Sequence, residues 1–471
     1  MKTVSKSLLL SVLFCAFALN SSGGARGGIP VAAEPAQSSP QIVPNPGASK
    51  GKALSPVERS LVGYIDEHQS GDLALLERLV NVNSGTQNLA GVHRTGRMLQ
   101  QEFESLGFET RWVDGRAFGR AGHLIAERPG NDAAVRVLLI GHLDTVFSQD
   151  SPFQRFERLP GNHARGPGVI DMKGGDVVML AALRALKAVG ELDRLHVTVV
   201  FSGDEEDPGT PLASARRDLI TAGRGAAVAL GFEDGDGNPH TAVIARRGSV
   251  DWHLEVTGTP AHSSQIFQPE VGAGAIFEAA RILDGFYRRL STVADLTLSP
   301  GLVLAGTDVS FDSETSRGTA FGKSNVVAGR AVAAGDLRTL SPAQLTDAQT
   351  TMKALVANGL PGTTARLTFG EGYPPMAPTV GNRRLLELLD RTSRDLDLGA
   401  VSAVDPRNAG AADVSFVAAE VPMVLDGLGL MGSGGHTVEE TADLSTFPTQ
   451  TAKAALLLYR IAQGAVSSEG P

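Results

Sequence analysis

The chain contains one cysteine in 471 residues, Cys15, and it lies in an apolar stretch near the N-terminus. One thiol forms no internal disulfide and builds no multi-cysteine zinc site, so a metal held by the folded part would be bound by nitrogen and oxygen. Surplus positive charge is also missing. The formal net charge is −9, the signs are mixed, and no basic stripe runs along the sequence, which argues against nucleic acid as a partner. Beyond the first twenty residues no apolar run approaches the length of a membrane span, and no internal repeat is visible.

What is present begins with Lys2 and Lys6, an apolar core from Leu8 to Leu19 and then small residues, the layout of a secretory leader over residues 1–25, with cleavage expected after Ala18 or Ala25. Phe14 precedes Cys15 where a lipoprotein signal has a small residue, so no lipid attachment and no stable membrane anchor are expected. The reading predicts a secreted or periplasmic protein without disulfides. Residues 26–54, rich in Ala, Pro, Ser and Gly, read as a disordered tether.

The folded part starts at Ser55, with Ser55-Pro56-Val57-Glu58 as helix cap and first turn and helical spacing continuing to Val80. A second helix is expected over Leu89–Leu106, and strands over Glu109–Val113, His123–Glu127 and Val135–Ile140. Helix Lys173–Ala188, strand His196–Phe201, helix Pro211–Thr221 and strand Ala226–Phe232 follow. This alternation predicts an α/β fold, a mostly parallel sheet with helices on both faces. From about residue 249 the texture changes. Strands Val250–Val256, Leu302–Phe311 and Asn325–Leu337 and helices Val271–Leu290 and Ala343–Asn358 suggest an inserted α+β dimerisation domain over 249–360. It interrupts a catalytic domain read as 55–248 and 361–471, whose second part holds helix Arg383–Asp395, strand Met423–Asp426 and a last helix from Phe447 to Ala465.

Chemistry-bearing residues collect where strands end or helices begin. His142 and Asp144 follow the apolar run Leu138–Ile140 and read either as a hydrogen-bonded pair or as a metal ligand with its orienting carboxylate. Asp171, in Gly166-Pro167-Gly168-Val169-Ile170-Asp171-Met172-Lys173-Gly174-Gly175, reads as a helix cap or as a ligand. Ser202-Gly203-Asp204-Glu205-Glu206-Asp207 puts four carboxylates after a buried strand, where mutual repulsion favours a counter-charge. Phe232-Glu233-Asp234 repeats the pattern, and Gly432-Ser433-Gly434-Gly435-His436 sets a histidine in a glycine-rich loop. Together they form the donor set of a two-metal hydrolytic site.

His142-Leu143-Asp144-Thr145-Val146, the Gly166–Gly175 segment, Gly203-Asp204-Glu205-Glu206, Phe232-Glu233 and Gly435-His436 occur in the order and approximate spacing of the co-catalytic zinc exopeptidases and amidohydrolases. That family includes glutamate carboxypeptidase, acetylornithine deacetylase and succinyl-diaminopimelate desuccinylase. The chain resembles it from about Ser55 to the C-terminus, and its glutamate carboxypeptidase-like branch most.

The resemblance implies two zinc ions per chain, with cobalt or manganese as alternatives. Asp171 would bridge them, His142 and Glu233 would complete one site, and Glu206 and His436 the other. Asp234 is an alternative to Glu233. Glu205 would be the general base for a hydroxide held between the metals, and Asp144 would orient His142. The resemblance further implies a homodimer in which His262, in Gly258-Thr259-Pro260-Ala261-His262, reaches the partner's site to stabilise an oxyanion, with Asn325 contacting substrate. By its residues alone, His262 is a turn histidine.

One departure bears on substrate. Where the branch has an Arg before a Pro, this chain reads Gly372-Tyr373-Pro374-Pro375-Met376. Arg407, in a Gly/Ala-rich loop, reads either as a solvated side chain or as the group that binds a carboxylate. The expected activity is hydrolysis of a peptide or N-acyl amide bond next to a free carboxylate, on a small peptide or N-acyl amino acid. A metal-dependent aminopeptidase or dipeptidase is the alternative enzyme, and a non-catalytic metal-binding protein the alternative from another class.

Overall fold

The computed structural model describes residues 52–313 and 315–466. The leader, Cys15 and all but the last three residues of the tether lie outside them. The first helix, Pro56–Val80, starts as expected. Ser55 Oγ accepts the Glu58 N–H and Glu58 Oε2 accepts the Ser55 N–H at 2.7 Å, while Pro56 occupies the first turn, where no N–H partner is needed.

A six-stranded sheet forms the centre. From one edge it runs Glu109–Asp114, Gly122–Arg128, Leu195–Ser202, Val135–His142, Val228–Gly231 and Val424–Leu425. The three pairings from Leu195–Ser202 to Val424–Leu425 are parallel, and the first two strands join antiparallel. Alternate side chains feed two cores. Val137 and Leu139 point to the core shared with helices Pro56–Val80, Lys173–Ala188 and Thr446–Ala462, whereas Leu138 and Ile140 join Leu219, Val414 and Val417 on the other side. Burial on both faces explains why this strand reads as an unbroken apolar run.

A second sheet, wholly antiparallel, runs Thr297–Gly306, Arg330–Thr339, Gly248–Gly258 and Thr363–Tyr373. Its core of Trp252, Leu254, Val256, Ile282, Phe286, Leu337 and Met352 is closed by helices Gly274–Leu290 and Pro342–Ala357. The sheet differs from expectation in three places. Its fourth strand runs to Tyr373, beyond residue 360, because Ala365, Leu367 and Phe369 pair with Val256, Leu254 and Trp252. The single strand expected over Leu302–Phe311 breaks at Thr307, whose N–H bonds the Phe321 carbonyl, and Asp308–Asp312 turns back as a hairpin with Arg317–Phe321. The strand expected to begin at Asn325 begins at Arg330, leaving Asn325 in a turn. The helix expected over Pro211–Thr221 is two short ones, Leu212–Ala215 and Arg217–Gly223.

A small four-stranded sheet, Gly432–Ser433, Thr441–Asp443, His163–Arg165 and Glu157–Leu159, had no sequence signal. It ties the chain around His436 to the loop that leads to Asp171. Among the described residues no helix is long and apolar enough to cross a membrane.

Candidate metal centre

Strand register brings the ligand-type residues together. His142 ends its strand beside Ser202 of one parallel neighbour, and Ile140 sits beside Gly231 of the other, so the loops carrying Glu205, Glu206 and Glu233 leave the same sheet end as His142. Carboxyl ends of parallel strands are where ligands of such sheets gather. Asp171 enters from the loop before helix Lys173–Ala188, and its peptide bond to Met172 is cis. His436 stands between Gly432–Ser433 and Thr441–Asp443 with φ 63°, a backbone setting uncommon for a residue with a side chain.

Two clusters result, and they share Asp171. His142 Nε2 lies 3.1 Å from Asp171 Oδ1 and 3.7 Å from Glu233 Oε1. His436 Nε2 lies 2.8 Å from Asp171 Oδ2 and 3.1 Å from Glu206 Oε2. His142, Asp171 and Glu233, and likewise Asp171, Glu206 and His436, each offer one ligand atom within 4.8 Å of the others. Glu205 and Asp234 belong to neither group.

The electrostatics are those of crowded carboxylates. Burial, reinforced by Asp413, Glu206 and Asp171, pushes Glu205 well above the usual carboxylate range despite the nearby His142. Glu233 moves the same way by burial and by Asp171 and Glu205. Hydrogen bonds to Asp171 and Glu206 raise His436 to about 11. Burial alone would lower His142, but Glu233, Asp144 and Asp171 outweigh it and hold the imidazole well above its ordinary value. Glu206 Oε1 is buried without any hydrogen-bond partner. An orphaned carboxylate oxygen, clustered acids and two imidazoles, with no thiol, form an arrangement that a pair of divalent cations fits, because cations would replace the protons that otherwise relieve the repulsion.

Several residues that hold this arrangement had no signal in the sequence. Glu440 is fully buried, and its carboxylate accepts backbone N–H groups of Gly168 at 3.0 Å, Ile170 at 2.9 Å and Asp171 at 3.2 Å, fixing the Asp171 loop. Asp426 accepts the Glu233 N–H at 3.3 Å and is paired with Arg246 at 2.7 Å. Arg216, 1% exposed, binds Asp204 at 2.6 Å and Asp413 at 2.8 Å behind the Glu205 loop. Tyr373, in the segment that lacks the expected Arg, donates its hydroxyl to the Glu205 carbonyl at 2.8 Å. A motif search misses such residues because their partners are backbone groups and ions distant in sequence.

Asp144 meets His142 through a different atom from the one expected. His142 Nδ1 meets the Asp144 backbone carbonyl at 3.0 Å, and the nearer carboxylate oxygen is 3.5 Å away. That carboxylate instead accepts the N–H groups of Glu205 and Glu206 at 3.0 and 3.2 Å and the Thr86 hydroxyl at 2.6 Å, locking the glutamate loop to the His142 strand. His262 and Asn325 come together elsewhere. The Ser263 N–H bonds the Asn325 carbonyl at 2.9 Å, His262 bridges Val326, and the His262 ring meets only Ser264 at 2.8 Å. Both are exposed on the second sheet's unit, and among the described residues none of their hydrogen bonds reaches the clustered ligands. Arg407 is exposed in the turn Pro406–Asn408, and among the described residues its hydrogen bonds are made by its backbone.

Comparison with known proteins places this geometry in a family. Residues 138–460 match the model of peptidase family M20/M25/M40. Carboxypeptidase G2 of Pseudomonas sp. (strain RS-16) is 26% identical over 404 residues, which are 84% of this chain and 91% of that protein. An aminopeptidase from Bacillus cereus superposes with TM-score 0.66 at 19% identity, covering 84% of this chain and 99% of the other. A dinuclear metal-binding peptidase of the M20 family from Bacillus subtilis superposes with TM-score 0.59 at 15% identity, covering 84% and 99%. At such identities the solved structures speak for the fold. With two thirds of its length matching the family model, the chain belongs to peptidase family M20/M25/M40 and is a hydrolase acting on peptide bonds.

Proposed function

We propose that this peptidase uses two divalent cations, zinc first and cobalt or manganese as alternatives, to hydrolyse a peptide or N-acyl amide bond next to a free carboxylate. Its substrate would be a small peptide or an N-acyl amino acid. The observation that carries the reading is the pair of ligand clusters meeting at Asp171, with Glu205 beside them in neither. Asp171 would serve both ions, His142 and Glu233 would complete one site, and Glu206 and His436 the other. The ions, when bound, polarise the scissile carbonyl and let water ionise near neutral pH. Glu205 takes the proton from the attacking water and passes it to the departing amine nitrogen, a role suited to a carboxyl group that lies beside the ligands and belongs to neither cluster. Asp144 fixes the Glu205 loop and the His142 ring together.

In the proposed homodimer, formed through the second-sheet unit, His262 and Asn325 act on a second copy's site, where His262 supplies a donor to the oxyanion and Asn325 a substrate contact. Their joint, exposed position, with no hydrogen bond to the clustered ligands among the described residues, supports this role. The leader-like run Leu8–Leu19 supports a secreted or periplasmic location. Elemental analysis of protein purified without chelator should find about two zinc, cobalt or manganese ions per chain. The same preparation should cleave members of a small set of N-acyl amino acids and dipeptides. Less than one metal per chain, or no turnover by the loaded protein, overturns the reading.

A further inference from the structure

We infer that a cavity beside the metal centre recognises a positively charged group on the amino-terminal side of the scissile bond; the inference rests on the function proposed above. The cavity, about 530 Å³, is walled by Gln87, Val146, Gln149, Asp150, Glu206 and Asp207 together with the backbone of the loops at Gly85 and Thr145. Such a volume is in the range that holds small ligands. It opens onto the metal centre through Glu206, whose Oε1 is buried and without a partner.

Charge decides what it accepts. Among the described residues no Lys, Arg or His lines it. Two divalent cations would match the four carboxylates of Asp171, Glu205, Glu206 and Glu233, which leaves Asp150 and Asp207 to set the sign of the pocket. Asp207 shares its charge with Arg120, whose Nη2 lies 2.9 Å away outside the lining, and its other oxygen takes the Gln87 amide. Asp150 meets the Ser148 hydroxyl at 2.6 Å, and no cation pairs with it among the described residues. A substrate carboxylate is repelled from this wall and so lies on the other side of the scissile bond. The amino-terminal portion enters the cavity, where Asp150 attracts an ammonium or guanidinium group and the Gln87 and Gln149 amides add neutral contacts.

The test combines binding and turnover on zinc-loaded protein. Lysine and norleucine, which differ by one positive charge, are compared by calorimetry. Lysine should bind about fivefold tighter at low salt, the size expected for an exposed ion pair. The gap should shrink with added salt, narrow in Asp150→Asn and reverse in Gln149→Lys. In turnover, Ala-Glu should exceed N-acetyl-Ala-Glu in kcat/KM. Equal binding of the two amino acids, or a lysine preference that survives both substitutions, overturns the pocket assignment even if peptides are cleaved. Lysine preference without cleavage of any peptide leaves the pocket assignment standing and overturns the proposed function.

Discussion

Neighbouring glutamates, one peptide bond apart, divide the chemistry at the residue scale. Glu206 faces His436, whereas Glu205 lies in neither ligand cluster. Proton transfer by a positioned carboxylate is typically worth ~10²–10⁴-fold in rate. Glu205→Gln should therefore lower kcat by at least about a hundredfold while metal content and thermal unfolding stay close to wild type. Glu206→Gln should instead reduce occupancy of one metal site. Plasma emission analysis beside steady-state kinetics separates the two, and a Glu205→Gln protein that loses metal but recovers activity in excess zinc would reverse the assignment.

Loops in place, rather than side chains alone, make the site, and at the scale of elements buried polar groups hold them. Glu440 gathers three backbone N–H groups of the Asp171 loop. Replacing one of its oxygens by an amide nitrogen leaves a buried donor unmet, which costs about 1–3 kcal/mol. Glu440→Gln should lower the melting temperature and weaken metal binding about 10–100-fold, the usual effect of removing a group that orients a ligand. A chelator competition that finds unchanged affinity would contradict this. The last helix makes a separate pH prediction. Lys453 is buried, with Gln450 Oε1 at 2.9 Å and the Pro239 carbonyl as partners, and burial lowers its amine to about 8 from 10.5. Between those values the unfolded chain binds a proton that the folded chain does not, so the lysine's contribution to stability rises with pH across that window and its charging cost is full below it. The unfolding free energy of wild type relative to Lys453→Met should thus improve by about 1–3 kcal/mol from pH 7 to pH 10, as measured by denaturant titration. A constant difference would refute it.

At the scale of the whole molecule, the second sheet leaves an edge and a helix face exposed. Among the described residues, strand Thr297–Gly306 pairs on one side only, with Arg330–Thr339, and exposes Val303, while Ile276, Phe277 and Tyr287 stand exposed on helix Gly274–Leu290. An unpaired edge and an apolar helix face favour self-association. Light scattering should report a dimer, and Val303→Lys should shift it toward monomer with loss of turnover. His262→Ala should lower kcat about 10²–10³-fold, as for removal of an oxyanion donor, without changing the dimer. A fully active monomer would remove the proposed role of His262 across the interface.

The fold class was legible in the sequence because it follows local rules, and the same rules bring ligand-type residues to strand ends. A strand buried on both faces must be continuously apolar, and the segment leaving its carboxyl end is where a ligand would be met; hence His142, the acidic run from Asp204 to Asp207 and the pair Glu233-Asp234 stand out after Ile140, Phe201 and Leu230, while the choice of Glu206 and Glu233 among them came from the family resemblance. Asp171 and His436 were visible through their glycine-rich surroundings. Long-range pairing was not legible. The strand Thr363–Tyr373 alternates Ala365, Leu367 and Phe369 with Thr364, Arg366 and Thr368, a local strand signal, but its place in the second sheet is defined only by its partner Gly248–Gly258. Glu440, Arg216, Asp413 and Asp426 are buried by the tertiary structure against backbone groups and ionic partners distant in sequence. The same holds for Asp144, whose carboxylate holds the glutamate loop more than the histidine ring. Local patterns fix which residue types arrive at the sheet end; only the packing of distant segments decides which atoms they face, since hydrogen bonds across hundreds of residues leave no period in the sequence.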